Sequence, residues 1–368
     1  THYDTSDHVE GQVTHPDIVV MDKPWNGYKY WMSYTPNVML TSRHEQPSIV
    51  ASNDGISWEE VATHNPIEAE PVSTRYHNND ADLVYDPVND RMMEFWKWDD
   101  DQAGGVGAEI RVRISYDGKK WGKPTDSEGN IATTADTVAN MDDDDKTGFI
   151  TVIKSENRYD MQSPTFTYDE FRGIFVMWAN NAGDVGYYNG QNNFVEMRWS
   201  EDGLSWSERT KVKNFLGKNE AGQQLAPWHQ DIQYIPEFKE YWGLSQCFAG
   251  GSPDGSVLYL TKSKDGINWE QVGTKPILNA GETGEWDDFQ IYRSTFYYDQ
   301  AGASDPKDGV LRVWYSALQK DTSGKMVIDS EGNKTIQATA ADTRIWRIGY
   351  TENDYQNVMK ALTKNEYY

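Results

Sequence analysis

The tightest constraint on this chain is a seven-residue pattern, Ser-x-Asp-Gly-x-x-Trp, that occurs four times. It begins at Ser52, Ser115, Ser200 and Ser263, at intervals of 63, 85 and 63 residues. A period of that length, sustained through the chain, signals a repeat architecture. The Asp-Gly step suits a tight turn, because glycine accepts the positive φ that hairpin turns need. Alternating apolar residues precede it, as in residues 109–114 and 257–260. Each copy therefore reads as a strand, a turn, and a Trp that opens the next strand.

The repeat extends upstream of each copy. Aromatic strands are predicted at residues 28–34, 92–98, 173–178 and 241–244. A fifth, at 310–316, is followed by 343–350 but by no Asp-Gly turn, where the motif would begin at Thr351. Five units of about four strands each, arranged around an axis, make a five-bladed β-propeller. The expectation is an all-β fold with four-stranded antiparallel blades, a single domain over residues 1–368. The blades start near residues 15, 80, 163, 229 and 293. Helical periodicity shows only at residues 355–362, which predicts a short C-terminal helix. The 15 Trp and 22 Tyr suit strands.

The net charge is −24, with a pI near 4.6. Such a chain is not built for nucleic acid or an anionic membrane surface, both of which attract basic patches. No apolar stretch is long enough to span a bilayer. An extracellular or periplasmic location is expected, with any leader outside this sequence. The single cysteine, Cys247, excludes an internal disulfide and reads as a small buried hydrophobe. Two acidic runs, Asp142-Asp143-Asp144-Asp145 in the longer third unit and Asp99-Asp100-Asp101, read as solvated loops.

In a propeller the innermost strands line the axial channel, and ligand sites form where those strands begin. Aligned on their apolar residues, the five inner strands start with His15-Pro16-Asp17, Asp80-Ala81-Asp82, Ser163-Pro164-Thr165, His229-Gln230-Asp231 and Arg293-Ser294-Thr295. Strand side chains alternate faces, so the first and third residues of each group are expected to share one. That face gathers four aspartates, two histidines and an arginine. Converging like charges inside a fold are costly, so a functional reading follows. Asp17, Asp82 and Asp231 are candidate catalytic carboxylates, with Asp80 beside them as a substrate-binding, pKa-shifting neighbour. Glu45 is a further candidate acid. His15 and His229 are candidate substrate contacts or ligands to a divalent cation. Arg293 would hold an anionic group or serve as counter-ion to the aspartates. Trp25 and Trp228 are candidates for stacking on sugar rings.

These inner-strand starts and aromatic second strands resemble the five-bladed propeller glycoside hydrolases, the group that contains family 43. Ser-x-Asp-Gly-x-x-Trp turns are common in its bacterial members. The resemblance covers all five blades as a pattern. It implies a glycosidase acting on a polysaccharide or oligosaccharide, and an axial ion, calcium ahead of zinc or manganese. In family 43 an Asp before a Pro opens blade one as general base, another Asp opens blade three, and a Glu upstream of the blade-four strand is the acid. Here His15, Ser163 and the Trp228-His229 pair stand at those places, so that triad does not carry over. Two rival readings are a metal-dependent hydrolase or lyase on anionic glycans and a non-catalytic carbohydrate-binding propeller. The sequence leaves the oligomeric state open.

Overall fold

The computed structural model describes residues 12–36, 45–73, 75–100, 107–181, 194–249, 252–282, 285–300, 302–318, 325–328, 334–337 and 346–363. They form a five-bladed propeller of antiparallel sheets. Blade one holds Val13–Trp25, Tyr28–Pro36, Ser48–Ser52 and Glu59–Glu60, from the axis outward. Blade two holds Tyr76–Asp86, Arg91–Asp100, Ala108–Ser115 and Ile150–Ser155. Blade three holds Gln162–Asp169, Ile174–Asn181, Phe194–Ser200 and Thr210–Lys211. Blade four holds Leu225–Ile235, Glu240–Ala249, Ser252–Ser263 and Trp269–Gln271. Blade five holds Gln290–Asp299, Val310–Leu318 and Trp346–Asp354. Each inner strand touches the inner strands of its two neighbours, which closes the ring. Among the described residues, no helix is long and apolar enough to cross a membrane.

Each second strand contributes one fully buried tryptophan to the core: Trp31, Trp96, Trp178, Trp242 and Trp314. Burying such a ring contributes about 3 kcal/mol before entropy is counted. The four motif turns press on neighbouring second strands. In each turn the serine hydroxyl accepts from the glycine N–H at 2.9 Å. The aspartate caps the two following N–H groups, as Asp54 does for Ile56 and Ser57. The glycines have φ between +71° and +78°. A Cβ on Gly118 would lie 2.1 Å from Trp31 of blade one, and one on Gly266 would lie 2.9 Å from Trp178 of blade three. The glycine is thus required both by backbone conformation and by close approach.

Trp242 of blade four has no such turn against it, because blade five lacks the motif. The C-terminal helix Tyr355–Thr363 takes that place. Tyr355 stacks on Trp242 with ring centroids 5.2 Å apart and planes 16° from parallel.

The long spacing arises in blade two, not in the third unit. A small hairpin, Lys123–Thr125 with Asn140–Asp142, is inserted between that blade's third and fourth strands. The acidic run follows it with exposed side chains on Asp143, Asp144 and Asp145. The carbonyls of Asp143 and Asp144 accept from the buried Arg113 guanidinium at 3.3 and 3.1 Å. The run is therefore a cap over Arg113, which also pairs with Glu68 at 2.7 Å.

Candidate functional site

The inner strands do not alternate as a plain strand would. In all five, the register with the second strand slips near the start, between Thr14 and Asp17, Asn79 and Asp82, Gln162 and Thr165, Pro227 and His229, and Ile291 and Ser294. Such bulges re-aim side chains. Three of the residues involved, His15, Asp80 and Ser163, sit at φ of 52°, 49° and 46°, a sparsely populated conformation for residues other than glycine. The first and third residues of each group consequently take different places.

The third residues staple the blades together. Asp17 accepts from the Leu83 N–H at 2.7 Å, and Asp82 from Phe166 at 2.8 Å. Thr165 accepts from Ile232 at 3.1 Å, Asp231 from Phe296 at 3.0 Å, and Thr295 from Ile18 at 3.1 Å. Five side chains thus bond the backbone of the next blade around the whole ring. Arg293 reaches into this layer and meets Asp82. Glu94, also fully buried, accepts from Ser33. Burial pushes the Asp17 carboxyl up to about 8, with the Asp231 charge adding to it, and pushes Asp231 up to about 6. The Asp82 carboxyl rises for the same reason, Asp17 being its next contributor.

Four of the five first residues, His15, Asp80, Ser163 and His229, form a separate site above that layer, while Arg293 does not. His15, Asp80 and His229, from three blades, line a cavity of about 230 Å3 and offer three ligand atoms within 4.8 Å of one another. His229 Nδ1 lies 3.3 Å and His15 Nε2 3.7 Å from Asp80 Oδ1. Thr35 Oγ1 holds His15 Nδ1 at 2.8 Å, leaving Nε2 turned to Asp80. The Ser163 N–H donates to Asp80 Oδ2 at 3.1 Å. His15 Nε2, His229 Nε2 and Asp80 Oδ1 are buried and have no hydrogen-bond partner. Burial lowers both imidazole pKa values, with Asp80 opposing it. Burial pushes the Asp80 carboxyl up, but the close approach of His229, with His15 and Arg293 adding to it, leaves it well below the usual range. Neutral imidazoles beside an ionised carboxylate are the protonation states a cation binds.

Glu45 lines the same cavity and is 6% exposed. Burial, then the charges of Asp80 and Asp99, hold its carboxyl well above the ordinary range. Trp228 and Tyr292 form another wall, the indole N–H donating to the Tyr292 hydroxyl at 3.4 Å. Tyr292 also packs its ring against His229, with centroids 4.2 Å apart. Ser163 Oγ sits 2.7 Å from His229 Nδ1, so Ser163 and Asp80 both address the same ring nitrogen. A relay needs serine and aspartate on opposite nitrogens, so this trio is not a nucleophilic triad.

The structure therefore brings together His15, Asp80, His229, Glu45 and Trp228. Asp17, Asp82, Asp231 and Arg293 lie in the stapling layer instead. Trp25 is at the far end of its strand and lines the opposite mouth, a cavity of about 770 Å3, where its indole donates to Asp90 at 2.8 Å. His77 and Asp99 also line the site, His77 without any sequence signal and Asp99 against its expectation as a solvated loop residue. Asp99 and Asp100 are 6% and 0% exposed, not solvated, because both lie on a blade strand with cationic partners; Asp101 lies outside the described residues. Pairing of residues 76–79 with 97–100 was the missing signal: it puts His77 opposite Asp99.

The fold is one shared with glycan-acting enzymes. A glycoside hydrolase matches 94% of this chain and 88% of its own at a TM-score of 0.54 and 12% identity. A thermostable family-43 glycoside hydrolase matches 92% and 89% at 0.51 and 10% identity. Likenesses at that identity define the architecture alone. A far nearer one is the crystal structure of an N-acetylgalactosamine deacetylase from F. plautii in complex with blood group B trisaccharide. It is 59% identical, with a TM-score of 0.89, covering 100% of this chain and 96% of that one. The chain belongs to the same family as that protein. It is also 60% identical over 369 residues to the A type blood N-acetyl-alpha-D-galactosamine deacetylase of Flavonifractor plautii, covering 98% of this chain. It spans about half the length, 47%, of that curated relative. No family model matches the sequence.

The expectation of a glycosidase is thereby corrected. A relative 60% identical is a deacetylase, not a glycosidase. The three aspartates chosen for bond cleavage are structural in position, each engaged with a neighbouring blade's backbone.

Proposed function

We propose that this chain hydrolyses the N-acetyl group of an amino sugar, of the N-acetyl-α-D-galactosamine kind, at the end of an oligosaccharide. The observation that carries the reading is the buried His15–Asp80–His229 cluster, set in a cavity of a chain 59% identical to an N-acetylgalactosamine deacetylase. Three side chains offer donor atoms within 4.8 Å of one another, and each histidine keeps one ring nitrogen, Nε2, without a hydrogen-bond partner. Two imidazoles and one carboxylate suit Zn2+ or Mn2+ better than Ca2+, which prefers an all-oxygen shell. In this reading the cation is therefore a transition metal and not calcium. When bound, such an ion supplies Lewis-acid polarisation of the acyl carbonyl.

The chain's own residues supply the rest. Thr35 fixes the His15 ring, and Ser163 and Asp80 fix the His229 ring. Glu45, sharing the cavity, takes a proton from the attacking water and returns it to the departing nitrogen. The flat wall of Trp228 and Tyr292 holds the sugar ring by stacking. Burial of the whole site keeps bulk water from competing for these groups.

The test is incubation of the purified chain with an oligosaccharide ending in N-acetyl-α-D-galactosamine. Acetate release with the glycosidic linkage intact, read by mass spectrometry, is the expected result. Binding without acetate release would favour a carbohydrate-binding propeller and overturn the proposal.

A further inference from the structure

Asp99 stands at the end of blade two's second strand, on the wall of the cavity and outside the His15–Asp80–His229 cluster. Its two oxygens live differently. Oδ2 accepts from Lys97 Nζ at 2.5 Å and from Asn79 Nδ2 at 3.3 Å. Lys97 is itself fully buried and donates also to the Arg158 carbonyl at 3.0 Å. Oδ1 is buried and has no hydrogen-bond partner. A buried carboxylate oxygen without a donor carries a desolvation cost that only a ligand's N–H or O–H relieves. Lys97 and Asn79 hold Oδ2 from within the protein, so Oδ1 is the oxygen left without a donor on a residue that lines the cavity. Asp99 is also near enough to Glu45 for its charge to act on that carboxyl.

We propose that Asp99 is the acceptor for the substrate nitrogen: Oδ1 takes the N–H of the N-acetyl group and then pairs with the ammonium of the freed amine. The inference rests on the deacetylase reading. In that reaction the oxygen of water bonds to the acyl carbon and the C–N bond breaks. One proton from water goes to nitrogen. The acetic acid formed gives up its own proton to the amine, leaving acetate and an ammonium. The nitrogen thus changes from a neutral donor to a cationic one at the place where an anionic oxygen waits. Charge-assisted bonds are the stronger kind, so the site favours its amine product over a sugar bearing a hydroxyl there.

Calorimetry on the wild-type chain loaded with Mn2+ or Zn2+ tests this with D-galactosamine against D-galactose at neutral pH. The amine is expected to bind about tenfold tighter, the equivalent of one charge-assisted bond. Asp99→Asn keeps the shape and an acceptor oxygen but loses the charge, and the preference should fall to within about twofold. Because that change strips Lys97 of its counter-charge, the double variant Lys97→Met with Asp99→Asn serves as the folded control, with the same loss expected. Acetate release without any amine preference overturns the role of Asp99 and leaves the deacetylase reading standing. An amine preference that survives in both variants overturns it too. An amine preference lost with Asp99, in a chain that releases no acetate, leaves Asp99 as an amine acceptor but overturns the deacetylase reading and with it the role toward the N-acetyl group.

Discussion

Asp82 Oδ2 lies 2.5 Å from Arg293 Nη2, with both side chains fully buried on the propeller axis. The other oxygen of Asp82 accepts from the Phe166 N–H of the next blade at 2.8 Å. One aspartate thus anchors a charge and a blade junction at once. Asp82→Ala would strand the guanidinium and the amide together, at a cost of about 3–5 kcal/mol. Asp82→Asn and Asp231→Asn keep an acceptor and should lower the melting temperature while leaving kcat within a fewfold of wild type. Turnover lost at an unchanged melting temperature would return these residues to the chemistry.

The Asp17 carboxyl gives the fold a pH dependence. Burial, then Asp231, raises it to about 8 in the folded protein, against about 3.9 in an unfolded chain. Between those values the folded state holds a proton that the unfolded state has released. Unfolding then releases a proton, so stability falls as pH rises and levels off above about 8. Buried His15 and His229 act in the opposite sense, destabilising the fold as pH drops below about 6.5. Melting curves from pH 6.5 to 8.5 therefore avoid the histidines and read the raised buried carboxyls, Asp17 together with Asp82, Glu45 and Glu94. The melting temperature should drop by a few degrees over that range, and Asp17→Asn should make the slope shallower by the Asp17 share. An identical slope in the variant would refute the assignment.

Removing the cation or its ligands should separate binding from proton transfer. Chelation, His15→Ala or Asp80→Asn should each abolish acetate release and, by elemental analysis, the bound metal. Glu45→Gln should keep the metal and lose about 10²–10⁴-fold in kcat. Metal retained by His15→Ala, or full activity in Glu45→Gln, contradicts the roles given to them.

The C-terminal helix completes the ring of interblade contacts. Tyr355 is 7% exposed, stacks on Trp242, and donates its backbone N–H to the Gly309 carbonyl at 2.9 Å. Tyr355→Ala should cost about 3 kcal/mol without changing kcat, since the cavity lies at the inner-strand starts. Chemical denaturation checks it, and an unshifted midpoint would show that the helix is dispensable.

The blade count was legible because Ser-x-Asp-Gly-x-x-Trp is a local device. Its serine, aspartate and glycine satisfy one another within a few residues, as Ser52, Asp54 and Gly55 do, so the spacing of the motif transmits the spacing of the blades. The inner-strand starts that carry the candidate site are legible too, with His15 and His229 as candidate cation ligands and Asp80 as their candidate substrate-binding neighbour. Their separation from Asp17, Asp82 and Asp231 is not. It hangs on a one-residue bulge in each inner strand, and a bulge leaves no mark in an alternating pattern. Asp99 and Glu45 reach the cavity only through strand pairing and blade closure, contacts between residues remote in the chain. Composition and periodicity report the energetics of a residue with its near neighbours. Which charges share a cavity, and which are spent holding blades together, is decided by packing across the axis.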